Sequence, residues 1–376
     1  MRIQVRATGL NFRDVMLSLG IYPDGPTTIG GEFAGIVTEL GSAVTGYAPG
    51  DRVMGISGDG IGSTVIAHSD LTTGIPDGWG FAQASGVPVV FLTAYYALYE
   101  LVELERGNRI LIHAGTGGVG MAAIQLSIHL GLEVFATASR AKWNVLRRMG
   151  LDDDHIADSR TLDFADKIAR NTGGAGVDVV LNCLSGEFID ASLRILATGG
   201  TFLELGKADI RDAHSLAAGY PGITYRPFDM AEPELPHIRR MLADLMRMFE
   251  RGDISPLPVN PWDVRLIAPA LRHFSQARHI GKNVLTLPAV VDSGGTVLIT
   301  GGTGALGRAV AKHAVQTLGI QNLILTNRHG NTTPQTQALL DELSTTGANV
   351  RIVACDVSDR EALTHLLTTI PTHQPL

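Results

Sequence analysis

Apolar and polar residues alternate with a period of two in the opening run RIQVRAT, at 2–8, and again, broken by glycines, at 30–41 and 51–55. Both patterns read as strands with one buried face. The first third therefore predicts an all-β region with turns at APGDRV and IPDGW. From residue 81 the period lengthens. FAQASGVPVVFLTAYYALYELV carries apolar positions at helical spacing, interrupted at Pro88. Beyond it the pattern predicts strands at 110–114, 133–138, 178–183 and 200–205, with helices at 119–129, 141–149 and 186–196. Strands that alternate with helices in this way build a parallel, doubly wound α/β sheet. A helix over 235–249 ends the rhythm, and the proline-rich ISPLPVNPWDV at 254–264 marks departure from that sheet. ALRHFSQARHIGKNVLTL adds a short helix and one strand, and PAVVDSGG at 288–295 reads as a linker. A second α/β unit then starts at Thr296, with further strands at 322–326 and 349–355.

Composition narrows the class. Of 376 residues, 45% are hydrophobic and 18% charged, so large cores can form. The 44 glycines suit many tight strand-to-helix turns. A net charge of −7 gives no basic footprint for nucleic acid. Cys183 and Cys355 stand alone and far apart, which argues against a disulfide scaffold or a cysteine-rich zinc site. With no charged-then-apolar leader and no long unbroken apolar window, no membrane segment is expected, and a cytoplasmic setting is.

The chemistry begins in two stretches of the same design. ILIHAGTGGVGMAA at 110–123 and VLITGGTGALGRA at 297–309 each run from strand through glycine turn into helix. Glycine permits the left-handed turn and brings backbone N–H groups close to a pyrophosphate at the helix N-terminus. The first turn offers Gly115, Thr116, Gly117, Gly118, Val119 and Gly120 as cofactor contacts; the second offers Gly301, Thr303, Gly304, Leu306 and Gly307. The strand after the first turn ends ATASRAKW. In place of the acid expected for NAD it presents Ser139, Arg140 and Lys142, which suits the 2′-phosphate of NADPH. A solvated basic corner is the competing explanation.

A β-rich opening, a dinucleotide-binding insert and a return strand resemble the medium-chain dehydrogenase/reductase superfamily. Zinc alcohol dehydrogenases of that superfamily carry Cys and His where this chain has Asn11, in GLNFRD, and Gly31, in GGEFAG. No metal site is therefore expected, and alcohol oxidation is disfavoured. The strings GLNFRDVM, GVDVVLNCLSGEFIDASLR, FLELGKADIRD and FSQARHIGKNVLTLP narrow the likeness further. They resemble the enoylreductase domain of modular type I polyketide synthases. GGTVLITGGTGALG, LILTNRHG and ACDVSD resemble the start of the ketoreductase domain that follows it.

The resemblance implies a GroES-like β-rich lobe at 1–88 and 254–288, a Rossmann domain at 89–253, and a partial short-chain-dehydrogenase-type Rossmann unit at 289–376. It implies NADPH-dependent reduction of a trans-2-enoyl thioester on an acyl carrier protein, beside neighbouring synthase domains, with a homodimer through the parent synthase as one option. It places Asn11, Thr93, Asn182, Ser185, Leu205 and Gly206 around the nicotinamide, and Lys282 and Arg160 near the cofactor phosphates. It points to Lys207 and Asp229 as proton donors; a structural ion pair is the competing expectation. Tyr22 falls where the family shows tyrosine or a small aliphatic residue, a choice associated with the configuration of an α-methyl product, here S. In the second unit Arg328 again suits NADPH, and the resemblance implies that Asp356 and Val357 match positions beside the adenine. His68, His113 and Cys183 read as structural, the cysteine as buried. Both ends read as cut: family members begin ahead of Met1, and the ketoreductase catalytic residues follow Leu376. A zinc-free quinone oxidoreductase and an inactive synthase fragment are the alternatives.

Overall fold

Strand β1 (Arg2–Gly9) buries Ile3, Val5 and Ala7 on one face, as its alternation requires. It pairs antiparallel with β2 (Glu32–Glu39), which continues to β3 (Arg52–Ile56). The short β4 (Thr64–Ile66) also pairs with β1, and β5 (Thr72–Gly74) with β3. The computed structural model describes residues 1–22, 28–58, 61–288 and 294–376. The opening third is not all-β: a helix, Phe12–Ser18, lies between β1 and β2. Asn11 and Asp14 start it. Asp14 Oδ2 accepts from Asn11 N at 2.7 Å, and its other oxygen accepts from Gly30 N at 2.8 Å. A capping pair overrides the period-two reading there.

The helical stretch 81–100 breaks where the proline predicts. Phe81–Ala84 is one helix, and Pro88 opens the next, Pro88–Tyr95, which widens into a π turn at Tyr96–Glu100. Proline at the first position of a helix loses no hydrogen bond. By length and composition this run could cross a membrane, but 78% of it is buried inside the protein, as in a core helix.

The parallel sheet contains β6 (Arg109–Ile112), β7 (Glu133–Ala138), β8 (Ile156–Asp158), β9 (Val177–Asn182), β10 (Leu196–Glu204) and β11 (Thr224–Pro227). Their order is β11-β10-β9-β6-β7-β8, the doubly wound arrangement whose direction reverses between β6 and β9. β8 and β11 escaped the sequence pattern because they are only three and four residues long. The chain then returns to the first sheet through β12 (Val259–Asp263) and β13 (Lys282–Thr286). Pro261 is tolerated because β12 is an edge strand. Gly281 N donates to Thr116 O at 2.9 Å, clasping this return segment to the first glycine turn.

The chain forms two compact units, Met1–Pro288 and Ala289–Leu376. In the second unit β14 (Thr296–Thr300), β15 (Asn322–Asn327) and β16 (Asn349–Ala354) form a parallel sheet in that order. Leu323, Leu325, Leu339 and Leu343 fill its core against the helices Ala305–Gln316 and Pro334–Ser344.

Candidate active site

After β6 the backbone turns through Ala114, at φ +50°, and Gly117 caps the helix Gly118–Leu130. The glycines meet protein before they meet ligand. A Cβ on Gly120 would lie 2.4 Å from Ala114 O, and one on Gly118 would lie 2.8 Å from Val90 Cγ1. Close packing is thus the requirement at these two positions, of the helix on the turn after β6 at Gly120 and on the helix Pro88–Tyr95 at Gly118. A Cβ on Gly115 would touch Ala136 Cβ at 3.0 Å. Thr116 is buried, with its carbonyl engaged by Gly281. The turn leaves first-turn N–H groups of a thirteen-residue helix, among them those of Val119 and Gly120, without carbonyl partners in that helix. This donor cradle fits a dinucleotide diphosphate.

At the end of β7 the cations sort themselves. Arg140 Nε lies 2.9 Å from Asp158 Oδ2 at the end of β8, yet its side chain is 75% exposed. Ser139 is the N-cap residue of the short turn Arg140–Lys142. Lys142 is different. Its Nζ donates to Ala277 O and His279 O, both at 2.7 Å, so it fastens the return segment and is not presented to a phosphate. Burial, with Arg160 nearby, lowers its pKa. Arg140 and the exposed Arg160 are the cations left facing solvent at this edge.

The strongest assembly lies at the C-terminal ends of β9 and β10, where ligands bind in sheets of this order. Asn182 is fully buried; its Nδ2 donates to Glu204 Oε2 at 2.7 Å and to Leu184 O at 2.9 Å. Glu204 is 1% exposed, and its second oxygen accepts from Gly206 N at 2.6 Å. Burial pushes its pKa up to about 7. Next along the chain, Lys207 Nζ sits 3.0 Å from Asp229 Oδ2 and donates to Phe228 O at 2.9 Å. Glu232 braces the aspartate from outside. It accepts from Asp229 N at 2.9 Å, from Tyr96 Oη at 3.2 Å and from Arg226 at 2.6 Å. Ser185 is exposed on the turn after β9 and Leu205 is half-buried. Cys183, expected to be buried, is exposed as a residue on the same turn, because the strand has already ended at Asn182, while its thiol turns inward and burial pushes that group up to about 12. Sequence reasoning missed Glu204 as a participant. Its signal was a lone carboxylate closing the apolar strand in FLEL.

A second buried network ties the lobes together. Lys282 Nζ is 2.7 Å from Glu32 Oε1, with both side chains at most 3% exposed, and it donates to Asn11 Oδ1 at 2.5 Å. Asn11 Nδ2 donates to Glu32 Oε1 at 2.9 Å, and Val89 N donates to Oε2 at 2.9 Å. The expected phosphate contact from Lys282 is therefore corrected: its charge is neutralised inside the protein. Thr93 is buried, its hydroxyl donating to Val89 O at 2.7 Å. Tyr22 lies beyond the Phe12–Ser18 helix with the Arg13 guanidinium 5.7 Å from its ring. Its described contact is with its own segment and not with Lys207 or Asp229. His113 is buried between Thr137 Oγ1 and Ser192 Oγ, at 3.0 and 2.8 Å, and burial pushes its pKa down to about 3.

In the second unit Gly301 adopts φ +63°, and a Cβ on Gly307 would lie 2.5 Å from Gly301 O. Gly304 caps the helix Ala305–Gln316, and Leu306 is 79% exposed. Thr303 Oγ1 accepts from Asn327 Nδ2 at 3.0 Å. Arg328 approaches Asp356 at 3.6 Å, with Val357 exposed beside them.

Comparisons with known proteins agree with this geometry. Residues 1–94 match the alcohol dehydrogenase GroES-like domain, 151–285 the zinc-binding dehydrogenase domain and 295–376 the KR domain. The chain is 54% identical over 375 residues to the pikromycin polyketide synthase component PikAII of Streptomyces venezuelae, spanning all of this chain but 10% of that protein. It is 52% identical over 377 residues to the phenolphthiocerol synthesis polyketide synthase Pks15/1 of Mycobacterium marinum, again spanning 100% of this chain and 18% of that protein. The crystal structure of CurK enoyl reductase is 38% identical with a TM-score of 0.72, the match covering 76% of this chain and 90% of that one. The chain thus belongs to the enoyl reductase family of polyketide synthases, built on the medium-chain dehydrogenase/reductase fold.

Proposed function

We propose that residues 1–288 bind NADPH along the C-terminal edge of the parallel sheet and reduce the double bond of a trans-2-enoyl thioester carried on an acyl carrier protein. The observation that carries this reading is the Lys207–Asp229 pair, at 3.0 Å, beside the Asn182 and Gly206 turns on one sheet edge. When bound, NADPH supplies the hydride that reaches the β carbon. The Gly118–Leu130 helix N-terminus holds the diphosphate, and the exposed Arg140 and Arg160 take the 2′-phosphate. Lys207 Nζ, 21% exposed in its side chain, holds the proton that the α carbon receives. Asp229 orients that ammonium, and Glu232 fixes Asp229.

The second unit, matched by the KR domain, carries a glycine turn that suits a second dinucleotide. The test is NADPH oxidation by the full chain with a crotonyl thioester and, separately, with a simple quinone. Turnover of the thioester supports the reading. Turnover of the quinone alone replaces it with a quinone oxidoreductase, and turnover of neither with an inactive synthase fragment.

A further inference from the structure

Glu204 is a carboxylate inside the protein that neither hydride nor proton transfer uses. Its two oxygens hold two different segments: Oε2 accepts from Asn182, the last residue of β9, whose carboxamide holds the following turn at Leu184, and Oε1 from Gly206 N of the turn after β10. Its own carbonyl accepts from Phe228 N, which joins the segment after β11. One residue thereby fixes three neighbouring strand ends.

We propose that Glu204 is a positioning residue whose ionised carboxylate clamps the turns after β9 and β10 in the arrangement that receives the nicotinamide. Cofactor binding then selects the deprotonated form. This inference rests on the reading of that edge as the nicotinamide side of an NADPH site.

The hydrogen-bond inventory carries the argument. Both oxygens face N–H donors, an arrangement that suits a carboxylate. A proton on either oxygen needs an acceptor. The adjacent one, Asn182 Oδ1, already accepts from Leu184 N at 3.2 Å. To accept from Glu204 the carboxamide must turn over and release Leu184, whose carbonyl its Nδ2 also holds at 2.9 Å. The turn bearing Ser185 then loses its link to the end of β9 and keeps only its outer links, Gly186 N to Asp209 Oδ2 at 2.7 Å and Arg211 to Gly186 O at 3.1 Å. Lys207 and Asp209 act on Glu204 from the segment after β10, favouring and opposing its charge respectively. The thiol of Cys183 faces it from the β9 turn and the phenol of Tyr225 from β11. Burial dominates these and brings the titration to about 7.

The test is the affinity of the full chain for NADPH, followed by the fluorescence of the bound nicotinamide across pH, in the wild type and in Glu204→Gln. The 2′-phosphate titrates alike in both, so it cancels in the ratio. Wild-type affinity should fall about tenfold more than that of the variant between pH 8 and pH 6. Identical pH dependence overturns the inference while leaving the NADPH site intact. Absence of NADPH binding by the wild type at every pH overturns the functional reading, and this inference with it. Should Glu204→Gln fail to fold, calorimetry of the unaltered chain at pH 7 in buffers of different ionisation enthalpy decides. Release of about half a proton on binding supports selection of the carboxylate, and no release overturns it.

Discussion

Lys207 and Asp229 are adjacent in space because two consecutive strand ends deliver them, and their ion pair is compatible with both competing expectations, a structural contact and the proton donor proposed above. Kinetics separates the two roles. Lys207→Met should lower kcat for a crotonyl thioester by about tenfold to a hundredfold, while the KM for NADPH stays within a factor of about two. A rise in KM with kcat unchanged would assign the lysine to binding alone. The Lys282–Glu32 pair makes a different prediction. Removing one charge leaves the other buried and unpaired, so Lys282→Met should cost about 3–5 kcal/mol in urea unfolding. Adding Glu32→Gln to it should recover most of that loss, because the pair then leaves no unpartnered charge, while the nearby buried Asp14 keeps its bonds from Asn11 N and Gly30 N. Failure of the double variant to recover would mean that packing of the lysine stem against Gly86 and Gly118, and not charge, holds the lobes.

Elements with strong periodicity were legible in the chain, and short or capped ones were not. β7 occupies the expected residues 133–138, and the glycine-turn helix begins within a residue of its expected start. The Phe12–Ser18 helix was hidden because its signal is the Asn11–Asp14 capping pair and not a hydrophobic period. At the site, residue types were readable where chemistry demanded them, as in the glycine turn and LELGK. Partners were not. Lys142 and Lys282 looked like phosphate ligands until the return segment supplied carbonyls to one and Glu32 to the other. Such pairings depend on residues more than a hundred positions apart. The glycine turn itself gives a test at this scale. Gly120→Ala places a methyl against Ala114 O, so it should destabilise the Met1–Pro288 unit by about 1–3 kcal/mol in urea and weaken NADPH binding. Unchanged stability and affinity would mean the turn yields freely.

Across the molecule, two buried titratable groups tilt stability with pH in opposite directions. His113, with its pKa pushed down to about 3, binds fewer protons folded than unfolded, so its contribution is lost as pH falls from about 6.5 towards 3. Glu204, pushed up from 4.5 to about 7, binds more protons folded than unfolded. Its contribution is present below about 4.5 and is lost as pH rises to about 7. Relative to Glu204→Gln, the wild type should therefore lose up to about 3 kcal/mol between those two pH values, as read from urea midpoints. A difference that does not change with pH would remove Glu204 from the account of stability. For function, the most direct measurement uses NADPH deuterated at the transferring position, a crotonyl thioester and mass spectrometry of the product. One deuterium at the β carbon from the labelled cofactor, and one at the α carbon when the reaction runs in heavy water, is the predicted result. Cofactor oxidation that leaves the β carbon unlabelled would contradict it.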